Sequence, residues 1–193
     1  MLQYIKLGIL AIVMLGYLYF PASLIQQYSA VQDEGTVYTF CPEPIDPYDS
    51  FRGRYVILNL DIFRNVPYDS TEKADLEFQD MGYVLLTKDS VGCTTVEKIV
   101  ANQPTDRDYI TVKTPRYIYG NDSTMTVEAP ASLTAYFINE DYALKAEQAY
   151  SSLTRNNNST DVKLETSVLD GMVVIKELYF EGKPVIEYLK ELK

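Results

Sequence analysis

Pro44-Ile45-Asp46-Pro47-Tyr48-Asp49-Ser50-Phe51-Arg52-Gly53-Arg54-Tyr55-Val56-Ile57-Leu58-Asn59-Leu60 runs from a proline-stiffened acidic approach, through Arg-Gly-Arg, into an alternating strand. Successive side chains of a strand point to opposite faces, so Val56, Leu58, Leu60 and Ile62 share one face and Tyr55, Ile57, Asn59 and Asp61 the other. The first set is wholly apolar and is expected to face a core. Proline fixes φ and lacks a backbone donor, so Pro42, Pro44 and Pro47 hold the approach extended and outside any ladder. Gly53 stands where the chain turns into the strand, a place for positive φ or close backbone approach.

The same period-two pattern recurs along the chain. Residues 83–88 and 94–100 read as strands joined by the turn 89–92, and 109–114, 117–119 and 124–128 as further strands, with a turn at Gly120-Asn121-Asp122. Residues 36–41 alternate weakly. Residues 162–168 and 172–180 flank Asp170-Gly171, the strongest hairpin signal in the sequence. Asp69-Ser70-Thr71-Glu72 has the character of a capping box and predicts a short helical turn. One segment has helical spacing. Asn139 caps it, Glu140 and Asp141 occupy its first turn, and Tyr142, Ala146, Ala149, Tyr150 and Leu153 fall on one face before Asn156-Asn157-Asn158 ends it. A brief helix is expected over 185–192. Seven to nine strands and one sizeable helix, without βαβ alternation, predict an α+β domain that is mostly antiparallel and barrel- or sandwich-like.

Ahead of this domain, residues 7–25 (LGILAIVMLGYLYFPASLI) carry no charge. As a helix they span about 28 Å, close to the hydrocarbon thickness of a bilayer. Tyr17, Tyr19 and Phe20 suit the interface at the far end, and Pro21 is expected to mark a kink or the helix exit. A cleaved signal peptide needs small residues at −3 and −1. The sites ending at Ala22 and Ala30 place Phe20 and Tyr28 at −3, so an uncleaved N-terminal transmembrane anchor over 1–25 is expected, followed by a polar linker over 26–35 and the soluble domain over 36–193. Lys6 on the short side is expected to keep that end cytoplasmic and the domain outside.

Beyond residue 32 the chain holds 16 Lys and Arg against 27 Asp and Glu, a net charge of −11. That balance speaks against nucleic acid, whose binding needs cations to displace phosphate counterions, and disfavours docking driven by anionic lipid. Histidine is absent, which removes the usual general base and metal ligand. No phosphate-binding glycine loop, nucleophile elbow or zinc spacing occurs, and neither metal nor cofactor is expected. The 17 tyrosines fit strand propensity, with an aromatic sugar- or peptide-binding surface as the alternative. Cys41 and Cys93 are 52 positions apart; the reading inclines to two free thiols, with a disulfide as the alternative, whose loop closure is worth about 4 kcal/mol in the chain-entropy picture.

Acidic Glu43, Asp46 and Asp49 meet Arg52 and Arg54 at the start of the strand. Turn-forming aspartates and local ion pairs account for them, a polar contact site being the alternative. Glu140 and Asp141 read first as complements to the helix dipole rather than as paired catalytic carboxylates. Asp46, Arg52, Arg54, Tyr55 and Glu140 are the candidates for ligand or partner contact.

Gly53-Arg54-Tyr55-Val56-Ile57-Leu58-Asn59-Leu60 resembles the motif that names the GDYXXLXY family of membrane-anchored bacterial proteins. Pro44, Asp46, Pro47, Arg52 and Gly53 resemble its lead-in, Ala135-Tyr136-Phe137 with Glu140 its aromatic-then-glutamate segment, and Asp170-Gly171, Leu178-Tyr179 and Gly182-Lys183-Pro184 its C-terminal hairpin. Arg54 replaces the usual Asp and Leu60 the last Tyr. The resemblance makes Gly53, Tyr55, Leu58 and Leu60 mainly structural. It implies no particular activity, and it implies a multi-spanning membrane protein as partner. The expected function is that of a non-enzymatic extracytoplasmic accessory or binding domain. The alternatives are a hydrolase or carbohydrate-active enzyme built on Asp/Glu pairs and a structural envelope component.

Overall fold

The computed structural model describes residues 2–43, 55–115, 123–155 and 161–192. It opens with a single helix, α1 (Leu2–Glu34), which is long and apolar enough to cross a membrane and has none of its most apolar stretch buried against the protein. Pro21 lies inside α1 rather than at its end, and the Ser23 hydroxyl donates to the Phe20 carbonyl beside it at 2.8 Å. The segment 26–35, expected as a linker, is also helical as far as Glu34. Its polar residues face solvent, while Val31 is buried in the domain. A polar composition therefore hid a helix that needs only one apolar anchor to dock.

Next come β1 (Thr36–Phe40), β2 (Tyr55–Ile57), a 3-10 turn at Asp61–Phe63, β3 (Val66–Pro67), and α2 (Lys73–Phe78), whose approach is capped by Asp69 accepting from the Thr71 N–H at 3.0 Å. Then follow β4 (Met81–Lys88), β5 (Thr94–Val100), β6 (Tyr109–Lys113), β7 (Thr124–Met125) and β8 (Ala135–Phe137). Helix α3 (Glu140–Arg155), the β9 (Val162–Leu169) and β10 (Met172–Phe180) hairpin, β11 (Lys183–Pro184) and α4 (Val185–Glu191) complete the chain. One sheet has the order β1-β9-β10-β11 and another β5-β4-β6, all neighbours being antiparallel; β2–β8 and β3–β7 form two short ribbons. The fold is α+β and sandwich-like, with no closed barrel among the described residues. Residues 117–119 and the turn at 120–122, together with Asn156-Asn157-Asn158, lie outside the described residues.

The two sheets meet where β5 and β6 begin. Cys41 and Cys93 form a disulfide with Cα atoms 5.8 Å apart, so the pairing left open by the sequence is made and the free thiols toward which it inclined are absent. Nearby, the Thr39 N–H donates to Thr94 Oγ1 at 3.2 Å and the Tyr38 hydroxyl donates to Asp108 at 3.0 Å. Burial, helped by that carboxylate, pushes the Tyr38 phenol up to about 12. On β6, the Thr111 N–H donates to the Gly171 carbonyl at 2.9 Å. The Asp170-Gly171 turn has φ of 49° and 81°, the paired positive values a two-residue hairpin turn of matching twist requires. One core joins these layers, with Phe40, Leu76, Ile99, Ile110, Leu164 and Phe180 fully buried. Helix α3 covers it through Ala146, Ala149, Tyr150 and Leu153 with half-buried Tyr142 packed beside them, the face its spacing predicted.

Helix α1 reaches this core with no slack. The Gly35 N–H closes the last turn onto the Val31 carbonyl at 3.1 Å, and β1 begins at the next residue, paired to β9. A Cβ on Gly35 would run into Ser167 Oγ and the Val31 carbonyl, so only glycine lets helix and sheet approach this closely.

Candidate functional site

The apolar alternation of the opening stretch builds a ribbon. Strand β2 pairs with β8 in the register Tyr55 to Phe137, Val56 to Tyr136 and Ile57 to Ala135, and the Leu58 N–H extends it onto the Thr134 carbonyl at 3.0 Å. Val56, Leu58 and Leu60 are buried, as alternation requires. The extended run then stops short of its expected end at Ile62. The 3-10 turn at Asp61–Phe63 breaks the two-residue period, and Phe63 fills the core in place of half-buried Ile62. On the opposite face Tyr55 is half-buried and meets the Phe137 ring at a centroid distance of 5.8 Å. Phe137 itself is 76% exposed.

Two phenols, half-buried Tyr136 and buried Tyr150, hold the ribbon in place. The Tyr136 hydroxyl donates to Glu177 Oε1 on β10 at 2.7 Å, and the Tyr150 hydroxyl donates from α3 to the Glu43 carbonyl at 2.7 Å. Both phenols are pushed well above the usual tyrosine range, each chiefly because burial penalises the phenolate, with the Glu177 carboxylate adding to the effect at Tyr136.

Between β8, β10 and the foot of α1 lies a cleft of about 410 Å³ whose walls include Tyr28, Ala135, Phe137, Val174, Ile175 and Lys176. Three consecutive residues of one strand cannot share a face in a regular sheet. Val174 and Lys176 share one by alternation, and Ile175, which also packs against the core, borders the same cleft where the β9–β10 register shifts between Ile175 and Glu177, which makes Lys176 the extra residue of a bulge. Among the described residues the cleft therefore combines apolar and aromatic walls with one ammonium group, and no carboxylate lines it. That chemistry suits binding an amphipathic group that carries a negative charge.

The model of the GDYXXLXY protein family matches residues 17–178. The chain belongs to the GDYXXLXY family. No curated protein and no solved structure matches it.

Within the family motif, the structure separates two roles. Leu58 and Leu60 are core residues, and Leu60 places an apolar side chain where the expected face demands one. Tyr55 faces outward beside Phe137. Asp46, Arg52, Gly53 and Arg54 lie outside the described residues. Glu140 is exposed in the first turn of α3, where Asn139 Oδ1 accepts from the Asp141 N–H at 3.1 Å, and it does not line the cleft. Among the described residues no group of three His, Cys, Asp or Glu side chains is placed to hold a metal ion. Sequence reasoning missed Tyr28, Phe137 and Lys176 as one group. A signal for the last was present: Lys176-Glu177 inserts two charges between Ile175 and Leu178 and interrupts the alternation of β10, as a bulge does.

Proposed function

We propose that this GDYXXLXY protein is a single-pass membrane protein. Its outer part is then a non-enzymatic, extracytoplasmic accessory or binding domain that works beside an integral membrane partner. The observation that carries this reading is the unbroken path of α1 from an unburied apolar stretch into the domain core through Val31 and Gly35. An apolar helix surface that the protein leaves bare needs lipid or other membrane helices to cover it. A helix without a linker also holds the outer domain at a fixed height and azimuth to whatever α1 touches. The disulfide seven residues after α1 supports an oxidising compartment for the domain. Lys6 on the other side supports a cytoplasmic N-terminus.

Photo-crosslinking from exposed α1 positions such as Leu15 and Leu18 in intact cells is expected to recover an integral membrane protein. Recovery of none would count against the accessory role. Alkaline phosphatase fused after residue 35 is expected to be active, and an inactive fusion would overturn the outward orientation.

A further inference from the structure

We infer that the cleft at the foot of α1 is a phospholipid headgroup site. In it Lys176 pairs with a lipid phosphodiester, while Tyr28 and Phe137 lie among the glycerol and upper acyl groups of the bilayer that α1 crosses. The inference rests on α1 spanning that bilayer, and it needs no protein partner.

Helix geometry sets the depth. The uncharged stretch ends at Ile25, and at 1.5 Å per residue Tyr28 lies about 4.5 Å further along the axis and buried Val31 about 9 Å. The headgroup layer on each side of the hydrocarbon is about 5–7 Å thick. Because α1 runs straight into the domain, the cleft that Tyr28 lines is held at that layer by covalent structure. The side chains match the place. Tyr28 is 47% exposed and Phe137 76%, and aromatic groups partition to the region between acyl chains and water.

Lys176 supplies the charge. No ion pair reaches it among the described residues, although the part of the chain beyond residue 32 carries a net charge of −11. It lines the same cleft as Val174 and Ile175, at the bulge of β10, so a cation sits at the edge of an apolar surface, as phosphate and acyl chain lie in a lipid. The overall acidity that disfavours free docking on anionic lipid does not oppose a site already delivered to the surface by its own anchor.

The chain contains no tryptophan, so a single substitution gives a single reporter. The full chain carrying Phe137→Trp is reconstituted in vesicles of phosphatidylcholine and phosphatidylglycerol, with and without lipid brominated on the upper acyl carbons. Its emission is expected to be blue-shifted, and bromolipid is expected to quench it at least twofold. A Phe78→Trp chain serves as the contrast, since Phe78 on α2 is 90% exposed and outside the cleft; its emission is expected to stay aqueous and unquenched. Adding Lys176→Gln to Phe137→Trp is expected to remove the rise in quenching as phosphatidylglycerol is increased. An unquenched Phe137→Trp chain would overturn the site, as would equal quenching at Phe78→Trp or a blue shift without quenching, which marks cover by a second copy. Leu15→Trp reports separately on α1: if it too is unquenched, the spanning helix fails along with the site. Because the vesicles hold no other protein, quenching at Phe137→Trp beside empty cellular crosslinks would keep the headgroup site and discard the accessory role.

Discussion

The β9–β10 hairpin and the β2–β8 ribbon are both antiparallel pairs rich in apolar residues, yet they spend them differently. In the hairpin, Val162, Leu164, Leu178 and Phe180 are fully buried and the turn is closed by two residues of positive φ. In the ribbon only one face is buried, and the other leaves Phe137 in the open beside half-buried Tyr55. Apolar area removed from water stabilises the fold; apolar area left exposed beside the long apolar helix α1 is available for contact. The hairpin thus reads as the folding unit and the ribbon as the contact unit, and each can be challenged separately.

The largest effect is expected at Phe180→Ala in the hairpin. Emptying that fully buried site costs about 4 kcal/mol, read as a lower midpoint in urea denaturation of the protein in detergent micelles. A cost below about 1 kcal/mol would remove the hairpin from its place as the folding unit. Gly171→Ala comes next, at about 2 kcal/mol. It forces a side chain into φ of 81° and drives a Cβ into Thr111 Oγ1 and the Tyr109 ring. Loss of the turn also breaks the seam between the two sheets, so the same variant is expected to lower the midpoint more than Gly182→Ala, where φ is also positive but a Cβ meets open space.

How far this was legible follows the range over which the signals act. The hairpin announces itself locally through Asp170-Gly171, and α3 through its cap and its apolar face, so both were readable residue by residue. The core face of the motif was readable as far as Leu60, after which a local 3-10 turn overrode the strand period. The partner of that strand was not readable, because β8 lies some 80 residues away and a three-residue strand has no period of its own. The cleft was invisible for a related reason. It depends on a helix continuing through a polar stretch, on a bulge, and on one exposed ring, drawn from three remote parts of the chain.

The bond between Tyr136 and Glu177 joins the two units, and pH tests it. An unfolded tyrosine ionises near pH 10, whereas the phenols of Tyr136, Tyr150 and Tyr38 are raised above that value. The stabilisation that goes with the neutral phenol is therefore fully present below about pH 10. It is lost as pH rises from there through the folded value, which for Tyr38 is about 12. Tyr136→Phe is expected to cost about 1 kcal/mol at neutral pH and to make the decline above pH 10 shallower than in the parent. A parallel decline in the two proteins would show that this phenol does not couple ribbon to hairpin.

The smallest effect is expected where the ribbon is most conspicuous. Phe137→Ala removes a ring that is 76% exposed, so little transfer free energy is forfeited, and the tilted contact with Tyr55 is the main loss. The midpoint in micelles is expected to move by about 0.5 kcal/mol or less, against about 4 kcal/mol for the phenylalanine of the hairpin. The two substitutions delete the same side chain from the same kind of antiparallel pair, so composition and strand propensity cancel and burial alone separates them. A cost of about 2 kcal/mol or more at Phe137 would mean that its ring is already covered in the isolated protein. The ribbon would then be a second folding unit with no surface left to offer a bilayer.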